Sequence, residues 1–157
     1  MSAKMQKIKS IRKGRLEPTE EAVRIPMAFL ADEANVSQEG KLNVLGIFDR
    51  IAAAAFPTVH PRMVFAFRLQ AEYEDAGRTV PVRVRLMDED GGTLFEAQGE
   101  VTPPPIPPGE FRTFNQLFEL VGVEFRQPGL YKFVVQVGDL PPHETPFGVV
   151  LVDPEGR

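Results

Sequence analysis

A chain of 157 residues, 43% hydrophobic and 25% charged, has the size and composition of one soluble globular domain with a core of its own. The absence of cysteine excludes disulfides and thiolate metal sites and fits a reducing cytoplasm, and neither a membrane-length apolar run nor a signal-peptide core is present, so the protein is expected in the cytoplasm. The net charge of −4 is uneven: Lys4, Lys7, Lys9, Arg12, Lys13 and Arg15 precede the first acid, Glu17, and the remaining 12 basic and 22 acidic residues leave the rest of the chain at −10.

Residues 1–24 read as a basic flexible arm. Met5, Ile8 and Ile11 recur at helical spacing, but Gly14 and Pro18 interrupt and the apolar content is too low for a core. From residue 25 to 153 the pattern is that of strands, with 154–157 as a tail. Met27 to Ala31 is a compact apolar run. Asn35 to Gly40 has turn chemistry, and Lys41 to Phe48 is a return strand apolar on both faces, as in a strand covered on both sides.

Met63 to Ala71 alternates, with Phe65, Phe67, Leu69 and Ala71 on one face. Val80 to Leu86 alternates too, and Pro81 with two outward arginines predicts a sheet edge. Asp88-Glu89-Asp90-Gly91-Gly92 predicts a hairpin turn into a partner strand over Thr93 to Val101. The run Thr102 to Gly109, with five prolines, predicts an extended crossover between sheets. Arg112 to Phe125 is a long β-like segment with Gly122 as an expected bulge. Leu130 to Val137 places Tyr131, Phe133, Val135 and Val137 on one face, Asp139 to Pro146 reads as a loop, and Phe147 to Val152 closes the domain.

About eight short strands with regular turn signals and no helix predict an all-β fold, an antiparallel β-sandwich. Pro128-Gly129-Leu130-Tyr131 adds an immunoglobulin-like feature, since a Tyr just after such a turn commonly bonds backbone upstream and locks the corner. With neither a Cys pair nor a Trp, it is not an antibody-type domain.

The stretch Asp32-x-Ala34-Asn35-Val36-Ser37-x-x-Gly40-Lys41-Leu42-Asn43-x-x-Gly46-x-Phe48-Asp49-x-Ile51 resembles the opening hairpin of a bacterial family of unknown function. Phe56-Pro57-Thr58-Val59-His60-Pro61 and the later Pro-Gly-x-Tyr element are similar as well, so the resemblance runs from about Met27 to Val152. It implies a β-sandwich and no particular activity. The family pattern starts close to Met27, which leaves the preceding residues as an addition to it.

Chemistry-bearing residues are few. A Ser-His-Asp site would require Ser37, in a turn without nucleophile-elbow glycines, to meet His60 or His143, and backbone bonding in the turn explains Ser37 better. Asp88-Glu89-Asp90-Gly91 is an incomplete calcium loop and reads as a solvated turn. No Gly-rich phosphate loop or other cofactor motif is present. The proline run has PxxP spacing but serves better as a stiff crossover. Candidate binding residues are Asp32, Asn35, Asn43 and Asp49 around the hairpin and His60 beyond it. All five fit backbone or hairpin roles equally well.

The leading expectation is a non-catalytic binding or assembly module of the bacterial cytoplasm that meets a protein partner, with oligomerisation through an edge strand as one form of assembly. Two others stand beside it. One is an accessory subunit anchored through its arm to a larger protein, an acidic surface or a nucleoprotein, with Lys4, Lys7, Lys9, Arg12, Lys13 and Arg15 making the contacts. The other is an enzyme with an unfamiliar site.

Overall fold

The computed structural model describes residues 23–155; the six basic arm residues lie outside them. Nine strands form among the described residues: β1 (Arg24–Val36), β2 (Leu42–Phe48), β3 (Arg50–Ala53), β4 (Thr58–Glu72), β5 (Val80–Met87), β6 (Thr93–Val101), β7 (Phe111–Phe125), β8 (Gly129–Val137) and β9 (His143–Leu151). They make a four-stranded sheet in the order β2-β1-β4-β7 and a five-stranded sheet in the order β3-β9-β8-β5-β6. The fold is a β-sandwich. Its helical content among the described residues is one 3₁₀ turn, Tyr73–Asp75, where the buried Asp75 carboxylate accepts the Glu72 amide at 2.7 Å.

Period-two alternation builds the core. Met63, Phe65, Phe67, Leu69 and Ala71 of β4 face Tyr131, Phe133, Val135 and Val137 of β8, joined by Val84, Leu86, Phe147 and Val149. Phe65 stacks on Phe133 with centroids 4.2 Å apart, and Phe125, Tyr131 and Phe147 form a second aromatic cluster. Each such ring contributes on the order of 1.5–3 kcal/mol by leaving water. The Tyr131 hydroxyl donates to the Gln127 carbonyl at 2.7 Å, the corner bond that its position after Pro128-Gly129 predicts. The proline run crosses from β6 in one sheet to β7 in the other, and Ile106, 3% exposed, plugs it into the core.

Several expectations are corrected. β5 is not an edge: β8 and β6 flank it. Its pairing with β8 begins only at Val82, and the Pro81 carbonyl accepts the Gly138 amide in the turn beyond, so the proline's missing donor falls outside the ladder. β9 begins at His143, inside the expected loop; Pro146 is tolerated because β3 pairs only with Gly148 to Leu151, leaving that part of β9 open on one side. β3 is an additional strand, and its parallel pairing with β9 makes the five-stranded sheet mixed.

Gly122 is not a bulge, because the β4–β7 register is unbroken from Thr58↔Phe125 to Glu72↔Phe111. Only the pair Pro61–Gly122 is missing, with Gly122 at φ +69°. The strands change face there: Met63 and Leu120 point into the core on one side of the gap, Val123 on the other. His60 accordingly sits within β4 rather than before it.

β2 is not covered on both sides either. Leu45 and Ile47 are 71% and 65% exposed, and β2 is the outer strand of its sheet. The β1–β2 hairpin also does not run straight. The last β1–β4 pair is Ala31↔Val64, and Met27, Arg68 and Asn115 lie abreast across β1, β4 and β7. From Met27 to Val36 a straight strand would carry the tip about 30 Å away. Yet the Gly40 carbonyl at the tip accepts from Asn115 Nδ2 at 3.3 Å. The hairpin therefore doubles back over the outer face of the four-stranded sheet. Beneath it Ala31, Val64 and Ala66 are 0–2% exposed, although they lie outside the core cluster that takes their strand neighbours Leu30, Met63, Phe65 and Phe67.

Candidate functional site

The five sequence-predicted residues lie in the β1–β2 hairpin, directly after it and in β4. Asp32 and Gly46 are the one pair missing between Leu30↔Phe48 and Val36↔Leu42, and Gly46 has φ +73°. A Cβ on Gly46 would stand 2.5 Å from Asp32 Oδ2, so only glycine allows the Asp32 carboxylate to lie across β2 where the hairpin bends. Asn43 Nδ2 donates to Asn35 Oδ1 at 3.0 Å, a cross-strand bond between directly paired residues. The Asp49 carbonyl accepts the Gly148 amide at 2.9 Å, where the chain passes from one sheet to the other. The His60 ring lies 6.0 Å from Phe48 of the hairpin, and its buried Nε2 has no hydrogen-bond partner. In the turn, Ser37 Oγ accepts the Lys41 amide at 3.1 Å, the backbone role expected of it. Asp88 Oδ1 likewise accepts the amides of Asp90 and Gly92 at 2.9 and 2.7 Å.

Arg62 is the polar residue the sequence reading missed. Its guanidinium donates to the Asp32 carbonyl at 2.9 Å, to Glu33 Oε1 at 2.8 Å and to Glu119. It thus supplies a donor where the β1–β4 ladder stops and ties β1, β4 and β7 together at the bend. Its hydrogen bond holds the Glu33 carboxyl below its ordinary range, and Glu33 and Glu119 raise the arginine in return. Nothing in the sequence distinguishes Arg62 from the other outward arginines of the strands.

The β6–β7 border of the sandwich is open. There the two edge strands, β6 of one sheet and β7 of the other, face each other across a groove of about 560 Å³ lined by Leu94, Phe95 and Glu119 to Glu124. It adjoins a recess of about 360 Å³ reaching Asp88, Gln127 and Tyr131. Burial raises the pKa of the Tyr131 hydroxyl there, so it stays a neutral donor in the recess wall. Both edges are irregular at the groove. On β6, Leu86 pairs with Phe95 but Met87 with Thr93, so Leu94 is bulged out of the ladder and 38% exposed. On β7 the left-handed Gly122 follows Val121, which is 72% exposed. None of the five predicted residues lines the groove.

Among the described residues no group of three or more His, Cys, Asp or Glu is placed to hold a metal, and no helix is long and apolar enough to cross a membrane. No curated protein matches the chain. Among solved structures, a β-glucosidase from Erythrobacter marinus is similar at 12% identity and a TM-score of 0.45, over 82% of this chain and 15% of that one. A β-glucosidase from Listeria innocua in complex with gluconolactone is similar at 11% identity and a TM-score of 0.39, over 78% and 16%. The chain spans only a small part of either enzyme, and likeness at this level bears on neither fold nor activity. Residues 26–150 match the model of a family of unknown function, DUF6941, and the chain belongs to that family.

Proposed function

We propose that this domain is a non-catalytic binding or assembly module of immunoglobulin type that meets a protein partner along the β6–β7 groove. The order β9-β8-β5-β6 follows the G-F-C-C′ order of variable-type domains, and Tyr131 stands at the start of the F-equivalent strand with its corner bond in place. The observation that carries the binding reading is the meeting of two edge irregularities on one groove. The Leu94 bulge and the Gly122 turn both present apolar side chains to solvent beside unpaired backbone, and bulges at sheet edges commonly re-aim a side chain at a functional surface.

The double variant Leu94→Glu/Val121→Glu tests it. Its complexes, isolated under native conditions, are compared with those of the parent and of Leu45→Glu, an equally exposed apolar site on the hairpin side. The expected result is loss of the partner from the double variant alone, with an unchanged melting temperature. Retention of the partner by the double variant contradicts the reading. A further variant lacking residues 1–22, which spares the buried Val23 and β1, keeps the partner if the body makes the contact and loses it if the arm does.

A further inference from the structure

We infer that the groove takes an extended segment rich in alternating basic and apolar residues, added as a tenth strand to the free edge of β7; this rests on the groove being the contact surface. β7 is fifteen residues long, pairs with β4 on one side only, and carries neither Pro nor Lys from Phe111 to Phe125. A long edge without Pro, Lys or a bulge, whose charges are Arg112, Glu119 and Glu124 alone, is a template for another strand. The other edges are shorter or broken. β3 has four residues, β2 bends at Gly46 after a short run, and β6 is bulged at Leu94.

The chemistry of the segment follows from what flanks that edge. On the core side of the edge Leu120 and Val123, with Leu94 across the groove, offer apolar contact, so every second side chain of an added strand finds a hydrophobic partner. Asp88 and Glu124 place two carboxylates along the groove and recess against Arg126, whose nearest carboxylate oxygen, on Glu124, is 3.9 Å away, while Glu119 is held by Arg62. Beyond Arg15 the chain is acidic as a whole, at −10. Lysine or arginine at the alternate positions therefore complements the site, and an acidic segment is repelled.

Synthetic ten-residue peptides alternating Lys with Val or Thr are the probe, titrated into the full-length protein while backbone amide resonances are followed. The expected shifts concentrate at residues 94–95 and 119–126. Glu124→Lys weakens binding at least about fivefold, and a peptide with Glu in place of Lys does not bind. Methylating the peptide nitrogens on one alternate set abolishes binding and on the other set leaves it within about twofold, because only one side of an added strand bonds to β7. Equal tolerance of both sets, with shifts still at the groove, overturns strand addition but leaves the groove as the contact surface. No shift with any basic peptide overturns the assignment of segment chemistry, and the groove reading then stands or falls with the Leu94→Glu/Val121→Glu comparison. Shifts confined to the hairpin overturn both.

Discussion

The two long sides of this sandwich are finished in opposite ways. On one side the β1–β2 hairpin, which carries the stretch whose resemblance the sequence offered, folds back over the outer face of its own sheet and is tied there by Arg62 and Asn115. On the other side the edges β6 and β7 are left facing each other across an uncovered groove. The side with the most legible sequence motif is thus the side where Asn35, Asn43 and Ser37 are bonded within the hairpin. The β6–β7 groove carries no motif, and what sets it apart from the equally exposed Leu45 and Ile47 of β2 is that two irregular edges converge on it. A recognisable stretch in a family without known activity need not mark where the activity is.

Substitution on each side separates these roles. The largest effect is expected beneath the hairpin. Ala66→Glu buries an unpaired charge at a residue with 0% exposure and should cost about 3 kcal/mol or more in denaturant unfolding. Val121→Glu on the open side should stay within about 0.5 kcal/mol. Equal, small costs at both would break the comparison, since Ala66 would then lack its roof.

Gly46→Ala comes next. It combines left-handed strain with displacement of Asp32 and should cost about 2 kcal/mol or more. In the background of Asp32→Ala the same change should cost measurably less, because only the backbone strain remains. Gly40→Ala, at φ +86° with open space around it, should cost only the strain of about 1–2 kcal/mol. Tyr131→Phe, which removes one part-buried bond to the Gln127 carbonyl, should cost about 1 kcal/mol in the same assay.

The smallest effect concerns pH. Arg62 lowers the folded-state pKa of Glu33, so the stabilisation from this pair is present above the ordinary glutamate pKa and is lost as pH falls through the lowered value. Amide exchange of residues 33–45, corrected for the intrinsic rate, should accelerate on acidification through that range while β5 and β8 stay protected. In Arg62→Met the hairpin should already exchange fast at neutral pH and lose this dependence. An unchanged acid response in Arg62→Met would remove Arg62 from its role at the bend.

Much of the sandwich was legible because its signals are local. The alternation of Met63 to Ala71 and Leu130 to Val137, the turn at Asp88 to Gly92, the proline crossover and the Tyr131 corner each depend on residues close in sequence. What was not legible depends on pairing across the chain. Pro81 reads as an edge marker until β8 is seen to stop short of it. Four residues at Arg50 to Ala53 give too short a pattern to announce a strand whose partner lies about a hundred positions away. Arg62 looks like any outward arginine until the bend of β1 leaves the Asp32 carbonyl without a ladder donor. The groove exists only because β6 and β7 are the outer strands of facing sheets, which no stretch of sequence states.

The central claim is that the open side, not the hairpin side, makes contact. Photo-crosslinking residues placed singly at position 121 and at position 45 of the full-length chain in its native cell test it directly, because both sites are about equally exposed and apolar. A specific adduct from position 121, with none from position 45, is the predicted result. An adduct from position 45 alone would contradict the account and return the function to the hairpin.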